Sequence, residues 1–176
     1  ALAALLELPE SLHSVAFTAP LQLAASGTIG EQVYQLETTV SGLGYQPMSL
    51  RLAGNHAPGK LLLEDLRLQD KAAANTLWGT GVLDYAGQMA WSAMLETSGF
   101  DLTPLEQYGS GRIEGQLQLQ GSFVDSEWAI SLADADLKGS VNGLPARLSG
   151  YAGIDSRLVL QPSALEAELN GTRLSF

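Results

Sequence analysis

Apolar and polar residues alternate with a period of two along most of the chain. The clearest case is residues 112–121, which read R-I-E-G-Q-L-Q-L-Q-G. Ile113, Gly115, Leu117 and Leu119 share one side of an extended chain there, while arginine, glutamate and glutamine occupy the other side. This alternation is typical of a half-buried β-strand with one dry face and one face in water.

Similar stretches follow one another along the whole sequence, which predicts an all-β fold built from a long antiparallel sheet with one apolar side. The predicted strands are residues 21–26, 33–41, 48–53, 60–69, 76–85, 88–95, 112–121, 127–132, 137–141, 144–151, 157–160, 164–169 and 172–176. Gly79 and Gly81 interrupt one of them and predict a bulge or a bend there.

The segments between strands contain residues suited to turns and to one short helix. Asn-Gly pairs at positions 142–143 and 170–171 predict two-residue hairpin turns, because both positions of such a turn need positive φ angles. Residues 103–106 read T-P-L-E, a capping box with proline at the first helical position, which predicts a helix of one to two turns. Residues 1–8 form a second, weaker helix candidate.

Composition limits the class of protein. The 176 residues are 45% hydrophobic and only 16% charged, with no cysteine and a net charge of −10. The acidic balance argues against nucleic acid as a partner. No apolar run approaches the roughly 18 residues of a membrane span. A loose glycine-bounded repeat (residues 81–99, 121–139 and 153–171) and the absence of a linker predict one unit over residues 1–176, which we interpret as a fragment of a longer repetitive protein.

Candidate catalytic chemistry is almost absent from the sequence. The two histidines, His13 and His56, have no nucleophile or carboxylate at a recognisable spacing, and His56 is expected to be a solvated loop residue. The acidic segment from Asp134 fails as a calcium loop, because Lys138 and Pro145 occupy ligand positions. We therefore expect no enzyme activity, no metal and no cofactor.

The apolar side then has two interpretations that alternation alone does not separate. It could be the core of a closed sandwich or barrel, where a second sheet covers it. It could also be the concave face of an open, curved sheet that holds a lipid or an apolar polypeptide. Both arrangements require one dry face.

The order of the motifs resembles the TamB family, in its central AsmA-like repeats. A strand containing tryptophan leads to a short segment begun by proline and then to a strand bounded by glycines. The residues that carry this resemblance are Gly81-Val82-Leu83-Asp84-Tyr85, Met89-Ala90-Trp91, Phe100-Asp101-Leu102, Gly111-Arg112-Ile113-Glu114-Gly115, Trp128-Ala129-Ile130-Ser131-Leu132, Ala135-Asp136-Leu137-Lys138-Gly139 and Leu165-Glu166-Ala167-Glu168-Leu169-Asn170-Gly171.

The resemblance implies a curved sheet folded like a taco around an apolar groove, in a periplasmic protein tethered to the inner membrane through a segment outside this chain. It implies phospholipid acyl chains as cargo, with unfolded outer-membrane proteins as an alternative. It also implies a partner, an outer-membrane barrel of the TamA type (BamA family), bound through another region. The function expected is a lipid conduit, and the alternatives are a chaperone-like groove for barrel assembly and a closed structural domain.

The candidate groove wall is the set of apolar positions that alternation places on the dry side. These residues are Leu36, Val40, Leu50, Leu52, Leu66, Leu68, Leu83, Met89, Trp91, Leu95, Ile113, Leu117, Leu119, Trp128, Ile130, Leu132, Leu137, Val141, Leu148, Leu158, Leu160, Leu165 and Leu169.

Overall fold

A computed structural model describes residues 16–28, 30–42, 44–71, 74–104, 110–125 and 127–175. These residues form one antiparallel sheet of twelve strands, in which consecutive strands are neighbours from β3 to β12 and both β1 and β2 pair with β3. The strands are β1 (Ala16–Phe17), β2 (Gln22–Gly27), β3 (Gln32–Gly42), β4 (Tyr45–Ala57), β5 (Lys60–Gln69), β6 (Thr76–Asp84), β7 (Met89–Asp101), β8 (Gly111–Val124), β9 (Glu127–Val141), β10 (Leu144–Asp155), β11 (Ala164–Leu169) and β12 (Thr172–Ser175).

The all-β antiparallel prediction is confirmed, and most strands extend beyond their predicted bounds. Two predicted strands, residues 127–132 and 137–141, are parts of the single strand β9. Both Asn-Gly hairpin turns are present, with φ angles of 51° at Asn142 and 49° at Asn170. Thr103 and Pro104 lie in a turn. The rest of the predicted 103–108 helix, and the N-terminal helix candidate, lie outside the described residues.

The predicted strand at residues 157–160 is wrong. The side chain of Asp155 accepts hydrogen bonds from the backbone N–H groups of Arg157, at 2.9 Å, and Val159, at 3.1 Å. Leu158 between them has a φ of 59°. An aspartate that binds the backbone ahead of it favours a turn over a strand, so only Leu160 makes a bridge, to Ile154.

The sheet has two chemically different sides. We call the side that carries Ile113, Leu117, Leu119 and every residue in register with them the apolar face. The side that carries Arg112 and Glu114 is the polar face. Because residues directly opposite on paired strands point to the same side, the register defines both faces across all twelve strands.

β-bulges keep the apolar side chains of each long strand on the same face of the sheet. In β5 the register shifts between Leu63 and Leu66, so that two residues oppose Thr80 of β6. The shift brings Leu63 and Leu66 to the same face despite their odd spacing. The bulge predicted at the two glycines of β6 is therefore in the neighbouring strand, and β6 itself is continuous.

Two further bulges act in the same way in the long strands β7 and β9. In β7 the register to β8 shifts between Thr97 and Phe100. In β9 one extra residue lies between Leu132 and Ala135, and the registers to β8 and β10 both shift there. Without that extra residue, the first and second halves of β9 would direct their apolar side chains to opposite faces.

The sheet curves so that the apolar face is on the inside. The hydroxyl of Tyr45, at the start of β4, donates a hydrogen bond to the carbonyl oxygen of Asp101, at the end of β7, with an O···O distance of 2.6 Å. The rings of Tyr45 and Phe100 lie 5.2 Å apart. Since β4 and β7 would be about 14 Å apart in a flat sheet, a tyrosine could not span them without curvature.

Hydrogen bonds from Arg112 join the loop before β6 to strand β7 at the same end of the strands. Its Nη2 donates to the carbonyl oxygens of Ala74 and Gly99, each at 2.6 Å. The Thr103 side chain and then the Thr103 backbone N–H bind Asp101, and these hydrogen bonds lower the pKa of the Asp101 carboxyl. Tyr45, Asp101 and Arg112 thus join the ends of β4, β7 and β8 at one end of the curved sheet.

This contact predicts an unusual titration of Tyr45. Burial, and then the negative charge of Asp101, raise its pKa from 10.0 to about 12. The folded state therefore favours the neutral phenol, and this contribution to stability is complete below pH 10 and is lost as the pH rises through about 12. An ultraviolet titration of the folded protein should show a tyrosine that ionises near pH 12 and that Tyr45→Phe removes, while Tyr34, whose pKa burial and then Glu64 also raise, remains in the variant.

At neutral pH, the same variant should lower the free energy of unfolding by about 1 kcal/mol, because one hydrogen bond is lost. The control is Tyr151→Phe, at a tyrosine on the polar face that is 47% exposed. Equal unfolding free energies for wild type and Tyr45→Phe would contradict the role of Tyr45 in the curved end of the sheet.

Candidate functional site

The register collects the predicted wall residues on one continuous face. Leu117 lies directly opposite Leu95 on one side and Ala135 on the other, and Leu119 lies opposite Ala93 and Leu132. Following such pairs from strand to strand places every predicted wall residue on the apolar face except Leu158. Leu158 lies in the turn after β10 and is 73% exposed.

Sequence reasoning missed several residues of this face, and the bulges explain the clearest omissions. Alternation in phase with Leu66 predicts that Leu62 is on the dry side. The β5 bulge instead brings Leu61 and Leu63 to the apolar face and directs Leu62 to the polar face, opposite Val82. Phe100 joins the apolar face through the bulge in β7, where it lies opposite Ile113.

Charged side chains are excluded from the apolar face. Within the described strands, no position in register with Leu117 and Leu119 carries Asp, Glu, Lys or Arg. The charged residues lie on the polar face, where they form cross-strand pairs such as Lys138–Glu114 at 3.4 Å and Arg147–Asp136 at 3.2 Å. Exposed pairs of this kind contribute little stability, so their main effect is to keep the polar face hydrated.

No second sheet of described residues covers the apolar face. Leu117, Leu119 and Trp128 are only half-buried, and Ile130 is 46% exposed. The only hydrophobic residues described as buried are Met48 and Ala135, and no large side chain among the described residues is completely enclosed. The described residues therefore form an open single-layer sheet and not a closed sandwich.

The C-terminal end of the apolar face borders a cavity, and a larger cavity of about 790 Å³ lies mainly over the polar face beside Ser92, Gln120 and Tyr151. A cavity of about 690 Å³ extends from β8 to β12. Most of its lining comes from the apolar face, including Ile113, Leu137, Leu148, Leu169 and Leu174. A continuous apolar surface that curves around open space can enclose a long, thin hydrocarbon.

Glycines on this face make room for aromatic rings from the adjacent strand. Gly54 lies opposite Tyr34, and Gly121 lies opposite Trp91. A Cβ atom on Gly121 would overlap the indole ring of Trp91. The aromatic rings therefore pack over the glycines of the neighbouring strands and cover their backbone.

His56 is placed differently from its prediction as a solvated loop residue. It belongs to β4, and its Nε2 lies 2.6 Å from the hydroxyl oxygen of Tyr85. Its Nδ1 is buried and has no hydrogen-bond partner. His56 is also the only titratable imidazole on the described part of the apolar face, and it lies where the β4–β5 hairpin meets the turn after β6. His13 lies outside the described residues.

No cluster of three or more potential metal-ligating residues is present among the described residues. Within the same residues, none of the elements is a helix of the length and apolarity needed to span a membrane.

The fold and its uncovered face define an open β-groove protein. The family model described as TamB, N-terminal domain, matches residues 6–176, and the chain belongs to this family. Its role is therefore a TamB-family role in the translocation and assembly module. The motif order suggested the central repeats of the family, whereas the matching domain is the N-terminal one. No curated protein and no solved structure matches the chain significantly.

The fit between Gly121 and Trp91 leads to a stability prediction. Gly121→Ala should lower the free energy of unfolding by about 1–3 kcal/mol, because the new methyl group displaces the indole ring. Gly87→Ala is the matched control, since nothing lies within 4 Å of a Cβ at that position. Urea denaturation monitored by circular dichroism measures both variants, and equal effects would show that the ring does not need this space.

Proposed function

We propose that this chain forms part of the wall of a hydrophobic conduit that shields phospholipid acyl chains on their way between the inner and outer membranes. The observation that carries the proposal is the apolar face itself, which is continuous over twelve strands, free of Asp, Glu, Lys and Arg in the described strands, curved inward and not covered by another layer.

The energetics of lipid transfer favour such a surface. Exposing an acyl chain to water costs about 0.8 kcal/mol per methylene, so a palmitoyl chain costs on the order of 12 kcal/mol. A groove that covers the chain removes most of this barrier. Because successive strands offer similar leucine, valine, isoleucine, alanine and glycine contacts, a chain can move from one strand to the next without a deep binding minimum.

The cellular setting of the proposal comes from the family. In it, the protein lies in the periplasm, is tethered to the inner membrane through a segment outside these residues, and works with an outer-membrane barrel of the TamA type bound through another region. The chemistry required is transfer of an amphiphile, and the conduit itself needs no catalytic residue.

A second candidate function, the holding of unfolded outer-membrane strands, is favoured by the edge formed by β2. All six residues of this strand are exposed and uncharged, and β2 pairs only with β3 among the described strands. An uncharged edge of this kind can accept an added strand by backbone hydrogen bonding.

Crosslinking at adjacent positions on opposite faces distinguishes these functions. A photo-crosslinking amino acid replaces Leu119 on the apolar face or Gln118 on the polar face, in the full-length protein in cells. The conduit predicts phospholipid adducts at position 119 and few at position 118, detected by mass spectrometry. Adducts only with nascent barrel proteins would favour strand holding, and equal lipid labelling of both positions would contradict a one-sided groove.

A charge on the groove wall should block transport more than folding. Leu119→Asp introduces a carboxylate on a half-buried position of the apolar face, where an acyl chain would have to pass it without water. Gln118→Asp adds the same group to the polar face and is the control. We expect lipid transfer to fail in the first variant alone, while circular dichroism reports folded protein for both. Global unfolding of Leu119→Asp would indicate that the face is a packed core.

A further inference from the structure

One row of side chains crosses the apolar face near the hairpin ends and changes from polar to apolar along its length. Each member lies directly opposite the next on the neighbouring strand. From β3 to β10 the row consists of Gln32, His56, Leu61, Leu83, Trp91, Gly121, Ile130 and Ile154. The first two members have polar side chains, whereas the remaining six are apolar except for the indole N–H group of Trp91.

This polar end is exceptional, because most other polar groups on the apolar face are bonded within the protein. The hydroxyls of Tyr34 and Tyr45 donate to the carbonyl oxygens of Leu62 and Asp101. The hydroxyls of Thr38 and Thr97 likewise donate to backbone carbonyls. Apart from Thr172 in the last strand and the indole N–H groups of Trp91 and Trp128, the Gln32–His56 end is where the described part of this face offers side-chain hydrogen-bonding groups to a ligand.

The contact between His56 and Tyr85 determines which hydrogen is available there. Because Nδ1 of His56 is buried without a partner, a proton on Nδ1 would leave an N–H group buried and unbonded, which is costly. We therefore assign the proton to Nε2, so that this N–H group donates to the Tyr85 hydroxyl oxygen across the 2.6 Å contact. The hydrogen of the Tyr85 hydroxyl is then free to be donated outward, from a residue that is 42% exposed.

We propose that the Tyr85 hydroxyl, oriented by His56, binds the ester carbonyl oxygen of an acylated glycerolipid, whose acyl chain lies along the apolar part of the row. This assignment rests on the proposed conduit and adds to it a defined orientation of the lipid at one position. The ester is favoured over the phosphate because no Lys or Arg lies on the apolar face of the described strands to pair with an anion, whereas a neutral carbonyl oxygen needs only one donor.

The row is long enough for this ligand. Six strand-to-strand steps separate His56 from Ile154, which corresponds to about 29 Å. One leaflet contributes about half of the roughly 30 Å hydrocarbon core of a bilayer, so an extended acyl chain fits within the row. Trp91, which lies across Gly121, provides the largest apolar contact along this path.

Binding of two probes that differ only in polarity tests the assignment. Radiolabelled methyl palmitate and hexadecane are delivered from cyclodextrin to the full chain, and bound label is counted after gel filtration. Tyr85→Phe removes the hydroxyl and keeps the ring that stacks on His56. We expect methyl palmitate to bind about fivefold more weakly to this variant, the usual effect of one hydrogen bond, and hexadecane to bind as it does to wild type.

Tyr151→Phe is the matched control, since it removes a hydroxyl from an exposed tyrosine on the polar face, and it should change neither affinity. If Tyr85→Phe leaves methyl palmitate binding unchanged, or weakens both probes equally, the ester assignment is overturned while the conduit stands. If neither probe binds the wild-type chain, the proposed conduit itself is overturned together with this assignment.

Discussion

The structure depends on keeping one face of a single sheet apolar over twelve strands. In a sandwich, a second layer would bury that face and stabilise it by packing. Here the described residues provide no second layer, so stability comes from the backbone ladder and from contacts between neighbouring side chains of the same face. A slip of one residue in any strand would exchange its apolar and polar faces. Register is therefore the constraint from which the continuous apolar face and the charge pattern of the sheet follow.

The bulges show how this constraint is met in long strands. β9 has fifteen residues, and its two apolar segments are out of phase in the sequence. The extra residue after Leu132 restores the phase, and the same register shift is made by both neighbours of β9. A bulge also bends a strand and increases its twist. The same local feature thus corrects the phase and bends the strand, while the contact between Tyr45 and Asp101 fixes the inward curvature at one end.

Alternation was sufficient to predict where the side chains of Leu117, Leu119 and Ile113 point, because a strand has only two sides. It was not sufficient for Leu61 and Leu63, since a bulge is set by pairing with the adjacent strand and leaves a weak local signal. The turn at Leu158 was missed because the side chain of Asp155, not residue propensity, determines it. His56 was misplaced because its partner, Tyr85, lies 29 positions away in the sequence. Curvature, which decides whether the face is open, depends on such distant contacts and has no signature in alternation.

The connection of strands in simple sequence order has a consequence for how the length of such a protein can vary. Extensive contacts join only strands that are adjacent in the sheet, and among the described residues the contact of Tyr45 in β4 with Phe100 and Asp101 in β7 is a local exception. Removing or duplicating one hairpin returns the chain to the same end of the sheet and changes the groove by two strand spacings, or about 10 Å. The length of the groove can therefore change in steps of one hairpin without a new fold.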